Sequence, residues 1–232
     1  MTTDGQIARG AIFDIDGVLV DSYQQHLESW RRLAAELDQT VTNDAFDRTF
    51  GRTSREIIAM LFGPQGSQEA VRRLDDRKEA IYRELVRGRV PVMDGALELV
   101  SDLFQSGFRM ALGSSGPPEN VDLVFRELGL DRWMMARVSG ADVIHGKPHP
   151  EVFQLACRRL GLAPEHSVVI EDAPVGVEAA RRAGCHAIAL LSTHSAGAFD
   201  GSVTTVARLS DLSAKRLGRM LSGSTPGCTK GS

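Results

Sequence analysis

Ala8-Arg9-Gly10-Ala11-Ile12-Phe13-Asp14-Ile15-Asp16-Gly17-Val18-Leu19-Val20-Asp21-Ser22 is the stretch whose reading decides the fold. Its apolar run, Ala11-Ile12-Phe13, stops abruptly at Asp14, and short apolar runs bounded by polar residues read as buried strands. Residues two apart on an extended segment face the same side, so Asp14 and Asp16 can reach one substrate. Gly17 permits a sharp turn directly after them, and a side chain there would crowd whatever the carboxylates face. Taken alone, Asp14-x-Asp16 reads equally as a strand-end turn with an aspartate cap.

Similar runs follow at residues 108–112, 167–170 and 186–190. Helical patterns lie between them. Leu97, Val100 and Leu103 recur at helical spacing over residues 96–104. Pro117-Pro118 suits a helix start before residues 119–128, Pro150 precedes a helix over residues 151–160, and residues 175–183 end at Gly184, a natural C-cap. Strands alternating with helices predict a parallel sheet covered on both faces. One stretch breaks the rhythm. Residues 22–89 carry only helical periodicity, through Leu27, Trp30, Leu33 and Leu37, then residues 57–61, then 71–86, with a loop signal at residues 62–66. A helical insertion, residues 22–89, is therefore expected within a core made of residues 1–21 and 90–222. Residues 223–232 lack apolar periodicity and read as a disordered tail.

Composition narrows the function classes. The chain has 232 residues, is 42% hydrophobic and 25% charged, and has a formal net charge of -3. That balance can bury a core and leaves no basic surplus of the kind nucleic-acid binding requires. The longest apolar stretch, residues 57–62, is too short to span a bilayer, and Met1-Thr-Thr-Asp-Gly-Gln lacks the pattern of a signal peptide. Cys157, Cys185 and Cys228 are widely spaced, odd in number and show no C-x-x-C, which argues for reduced thiols, hence a cytoplasmic setting, and against zinc. Packing is the ordinary role of such cysteines.

In an open parallel sheet, ligands bind beyond the carboxyl ends of the strands. The residues after each apolar run therefore sample one rim: Asp14 and Asp16, then Ser114 and Ser115, then Glu171 and Asp172. Lys147, in Gly146-Lys147-Pro148, just precedes a helix. Grouped carboxylates need a counter-charge, which a divalent cation and Lys147 would supply, and oxygen-only ligands favour Mg2+ over zinc. Asp14 would then attack phosphorus, with Asp16 moving protons to the leaving oxygen and from water. Each piece alone has a bland alternative: helix N-terminal charge for Glu171-Asp172, a plain loop for Ser114-Ser115, a solvated surface charge for Lys147.

Their order along the chain resembles a known family. Residues 13–22 resemble the first motif of the haloacid dehalogenase superfamily, Leu112-Gly113-Ser114 its second, Gly146-Lys147-Pro148 its third and Val169-Ile170-Glu171-Asp172 its fourth. The resemblance implies a Rossmann-like, doubly wound parallel sheet of α/β class with an inserted all-helical cap domain, an aspartyl-phosphate intermediate and Mg2+. It implies Asp14 as nucleophile and metal ligand, Asp16 as acid/base and ligand through its carbonyl, and Ser114, with Ser115, and Lys147 on the phosphoryl group. Asp172 would bind metal, supported by Glu171. An acid at Asp16 separates phosphate-ester enzymes from dehalogenases and the phosphonate-cleaving group.

The insertion resembles the helical cap of the branch holding β-phosphoglucomutase, phosphoglycolate phosphatase and sugar phosphatases. His26, Arg55 (in Thr53-Ser54-Arg55-Glu56) and Lys78 resemble the mutase's cap residues; as plain chemistry, Arg55 can fork onto a second anion and Lys78 offers a point charge. Packing of His26 against Trp30, and solvated charges at Arg55 and Lys78, are the alternatives. Glu171-Asp172-Ala173-Pro174-Val175-Gly176-Val177 is closer to sugar and polyol phosphatases. A phosphatase of a small phosphorylated sugar or polyol is the expectation, a mutase the alternative. A receiver domain is a remote third reading, since it has neither the insertion nor an acid two residues past its phosphorylated aspartate. No membrane or nucleic-acid partner is expected, and the expected assembly is a monomer or weak homodimer.

Overall fold

The computed structural model describes residues 8–49 and 54–223. Among these, β1 (Gly10–Phe13), β2 (Arg109–Gly113), β3 (Ala136–Val138), β4 (Ser167–Glu171), β5 (His186–Leu190) and β6 (Thr204–Val206) form one parallel sheet ordered β3-β2-β1-β4-β5-β6. This is the doubly wound Rossmann order. The chain leaves β1 for β2 on one side and reaches β4 on the other, so the switch point lies where β1 ends. In register, Phe13 lies between Leu112 and Ile170, and the backbone N–H of Asp14 still donates to Ile170 at 3.0 Å. Asp14 is thus held by the ladder at the middle of the sheet.

Both faces of the sheet are covered, which is why its strands read as continuous apolar runs rather than alternating ones. Ala11, Phe13, Met110, Leu112 and Ile170 share one face with α5 (Ala96–Gln105), α6 (Pro118–Glu127) and α9 (Ala214–Ser222). Ile12, Ala111 and Val169 share the other with α7 (Glu151–Leu160) and α8 (Pro174–Arg182). Cys157 and Cys185 are buried free thiols in that second face, their sulfurs 3.6 Å apart, as the packing reading expects. No helix of the described residues is long and apolar enough to cross a membrane.

Between β1 and β2 the described chain is helical: α1 (Tyr23–Glu36), α2 (Asn43–Asp47), α3 (Ser54–Phe62) and α4 (Gln68–Val86). These helices bury an apolar cluster of their own around Leu27, Trp30, Leu33, Ile58 and Ile81. Ser67 and Thr42 cap α4 and α2 by accepting the N–H groups of Ala70 and Ala45. The segments that lead into and out of these helices are stitched together, Asp21 N–H donating to Pro91 O at 2.8 Å and Met93 N–H to Leu19 O at 2.9 Å.

Among the strands and α-helices of the described residues, β3, β6, α2 and α9 were not anticipated. Each strand is three residues at a sheet edge, too short to show a period, and α2 has five residues. Of the expected tail, Gly223 follows α9, and the rest, with Cys228, lies outside the described residues, as does Thr53.

Candidate active site

Asp14 follows β1 and is 7% exposed. Its Oδ1 accepts from Lys147 Nζ at 2.8 Å, and the same ammonium donates to Glu171 Oε1 at 2.6 Å. The Lys147 side chain is buried, over the ring of Phe153, so it is no surface charge. Burial pushes the Asp14 carboxyl up to about 7; Lys147 opposes that rise, and Glu171 and Asp16 add to it. Asp172, at the end of β4, is raised well above the carboxylate range by burial and by Glu171 and Asp14. Glu171 has both oxygens engaged: Oε1 takes Lys147, and Oε2 accepts the backbone N–H groups of Asp172 and Ala173 at 2.7 and 2.8 Å. Ser114 is buried after β2, its Oγ accepting Gly116 N–H at 3.0 Å, and Ser115 beside it is exposed at the cleft.

Gly17 has φ of +73°, and a Cβ there would lie 2.2 Å from Asp172 Oδ2. Both the conformation and the space therefore require glycine, and the turn after Asp16 is what lets Asp172 close up against the first motif.

Asp16 belongs to a different environment. Its Oδ1 receives His26 Nε2 at 3.1 Å and the Tyr82 hydroxyl at 3.3 Å. Lys78 Nζ, on α4, lies 2.9 Å from His26 Nδ1. An ammonium has only donors, so Nδ1 accepts and Nε2–H is left to donate to Asp16. Burial alone would raise the Asp16 carboxyl, but His26, Ser22 and Lys78 outweigh it and hold Asp16 below the usual range. Lys78 is 4% exposed, with Glu79 as a second partner at 2.7 Å, so the solvated reading of Lys78 is wrong. The His26 ring stacks on Tyr82, not on Trp30, with centroids 4.2 Å apart.

A cleft of about 1150 Å³ joins these parts: Asp14, Asp16, Ser114, Lys147 and Asp172 on the sheet rim, and His26, Lys78 and Ile57 on the helices. Arg55 is the exception. It is exposed and lines a separate hollow of about 380 Å³ with Pro64, Gln65 and Val71. Successive helix residues turn by about 100°, so with Ser54 and Ile57 facing the cleft, Arg55 points away from it.

Three contributors escaped the sequence reading. Ser192 donates to Gly17 O at 2.6 Å, Thr193 donates to Asp172 Oδ2, and His194 Nδ1 lies 3.1 Å from Asp172 O. They follow β5 directly, so the rule that found Glu171-Asp172 after β4 would have found them had it been carried one strand further. Asn120 of α6 also escaped notice; it donates to Glu79 at 2.6 Å and ties α4 to the core.

The donor set fits a hard divalent cation. Asp14, Glu171 and Asp172 offer buried carboxylate oxygens within 4.8 Å of one another, with no soft ligand among them. Two of the three carboxyls are raised by burial and mutual repulsion, the strain that a cation relieves.

Comparison with known proteins agrees with this geometry. The sequence model of the haloacid dehalogenase-like hydrolases matches residues 8–184. The chain is 33% identical over 181 residues to a phosphorylated carbohydrates phosphatase of Thermotoga maritima, covering 76% of this chain and 82% of that one. It is 27% identical to a β-phosphoglucomutase of Bacillus subtilis, covering 78% and 82%. In fold it is similar to a family IA hydrolase of Entamoeba histolytica, with a TM-score of 0.85 at 21% identity, covering 92% of this chain and 99% of that one. The chain is therefore an enzyme of the haloacid dehalogenase-like hydrolase family.

Proposed function

We infer that this enzyme is a Mg2+-dependent phosphatase that hydrolyses a small phosphorylated sugar or polyol through phosphorylated Asp14. The observation that carries this reading is the Lys147 ammonium bonded to both Asp14 and Glu171 beneath an open cleft, with Asp16 beside it. An Asp14 oxygen attacks phosphorus and the bond to the sugar oxygen breaks, with Asp16 giving that oxygen a proton. A water then attacks the phospho-aspartate, loses its proton to Asp16, and releases phosphate with Asp14 restored. The negative charge of the arriving phosphate raises the neighbouring Asp16 carboxyl, so its protonated form accompanies substrate. Lys147 and Ser114, with Ser115 at the cleft edge, hold the phosphoryl oxygens. A Mg2+ held by Asp14, Asp172 and the Asp16 carbonyl, with Glu171 in support, would supply positive charge at those oxygens.

Residues 22–89 act as a cap that excludes water and sets the acceptor, with residues 1–21 and 90–222 as the core. His26 and Lys78 belong to that cap's contact with Asp16. This same contact favours one second reading, a β-phosphoglucomutase-type mutase in which a sugar hydroxyl takes the place of water. A relative that is a mutase and another that is a phosphorylated carbohydrates phosphatase leave both chemistries within the family's reach. A panel of sugar and polyol phosphates, assayed with Mg2+ and with or without a sugar bisphosphate, separates them. Inorganic phosphate released without the bisphosphate supports hydrolysis. Isomerisation of β-glucose 1-phosphate that depends on the bisphosphate overturns it.

A further inference from the structure

The segment that carries Lys147 brings together three other side chains, His145, His149 and Glu151. One nitrogen of each imidazole and one oxygen of the carboxylate lie within 4.8 Å of one another. His145 Nδ1 and His149 Nδ1 are 3.4 and 3.7 Å from the same atom, Glu151 Oε2. Those separations exceed a good N–H···O bond, with heavy atoms at about 2.7–3.2 Å. They match two ligand atoms each about 2.1 Å from a common tetrahedral centre, whose mutual spacing is about 3.4 Å.

The carboxylate is already oriented. Glu151 opens α7, its Oε1 accepting the N–H of Ile144 and its Oε2 that of His145, each at 3.1 Å. Such backbone donors fix a ligating carboxylate in place, and each oxygen keeps a lone pair to spare. The two imidazoles lie with centroids 4.6 Å apart, and their side chains are 63% and 48% exposed, so an ion reaches them without any opening of the fold.

We propose that His145, His149 and Glu151 form a second metal site, for a transition-metal ion of the Zn2+ class, with its fourth position open to water or a small anion. Its chemistry is unlike that of the carboxylate cluster. Imidazole donors select Zn2+, Co2+ or Ni2+, whereas three buried carboxylates select Mg2+. The expectation against zinc rested on the cysteine spacing alone, and this site departs from it by using imidazole and carboxylate donors with no thiolate. Its place in the chain gives it a consequence. His145 and His149 stand two residues on either side of Lys147, so an ion at this site ties the lysine's loop to the first turn of α7 without touching the reacting atoms.

Calorimetric titration of the full-length protein with Zn2+, in saturating Mg2+, tests this. Wild type takes up one equivalent more than the His145→Ala/His149→Ala double variant, and His166→Ala, altered at the opposite end of the sheet before β4, matches wild type. With Co2+ in place of Zn2+, the strong visible absorption of a four-coordinate ion is reduced in the double variant alone. Far-ultraviolet circular dichroism establishes that the double variant is folded, as substitution of exposed residues allows. Equal Zn2+ uptake and an unchanged Co2+ spectrum in the folded double variant overturn the proposal.

Discussion

Asp14 and Asp16 are two residues apart, yet their surroundings drive them in opposite directions. Burial raises Asp14 to about 7 against the pull of Lys147, whereas His26, Ser22 and Lys78 overcome burial at Asp16 and hold it low. These directions are those of the cation-free cleft: a cation among the carboxylates would lower Asp14 again, as a nucleophile requires, and an arriving phosphate would raise Asp16, as a proton donor requires. The polarity of Asp16 depends on a side chain it does not touch, since Lys78 sets the tautomer of the histidine that does. Lys78→Met therefore lowers kcat by about 10²-fold, the scale of a misplaced catalytic group, with little change in KM. Arg55→Ala, on the outward side of α3, leaves both constants near wild type. Steady-state kinetics on one sugar phosphate checks both, and equal losses in the two variants contradict the assignment.

At the scale of elements, β1 matters most because it places Asp14. Phe13 is fully buried and packs with Leu112 and Ile170, its neighbours in register. Phe13→Ala costs about 3–5 kcal/mol in urea unfolding, the range for a large side chain removed from a closed core; a loss below about 1 kcal/mol contradicts this packing. The same element explains how much could be read beforehand. Ala11-Ile12-Phe13 was legible as a strand because burial on both faces leaves an unbroken apolar run, and Asp14 was legible because that run stops. The edge strands β3 and β6 were not, since a half-exposed strand of three residues carries neither signal. Glu171 and Asp172 could be found as residues after a run, whereas the link from His26 through Lys78 and Glu79 to Asn120 joins three stretches far apart in sequence. Helical spacing gives the face of a residue only relative to its own helix. It could not tell that Lys78 turns inward and Arg55 outward.

For the whole molecule, the cleft is a local cost that the rest of the core sustains. Asp14 and Asp172 have raised carboxyls in the folded state, so the native protein binds more protons than the unfolded chain between the two sets of pKa values. Stability from these groups is fully present below the unfolded value and is lost as pH rises through the folded one. Groups held low, such as Asp16, act only at more acidic pH and with the opposite sign. Without Mg2+, Tm is expected to fall between about pH 5 and pH 7.5, less steeply in Asp14→Asn, and Mg2+ restores it at the upper pH in wild type. Differential scanning fluorimetry across that range checks this. A wild-type Tm indifferent to Mg2+ at pH 7.5 contradicts the cation's place in the carboxylate cluster.

The covalent role of Asp14 is tested most directly by trapping it. In Asp16→Ala the attacking water loses its base, while an aryl phosphate supplies a leaving group that needs no proton. Intact-mass and peptide analysis of this variant after exposure to that substrate and Mg2+ is expected to show one added phosphoryl group, on Asp14. An unmodified protein that still turns over substrate, or a phosphoryl group on any other residue, contradicts the account.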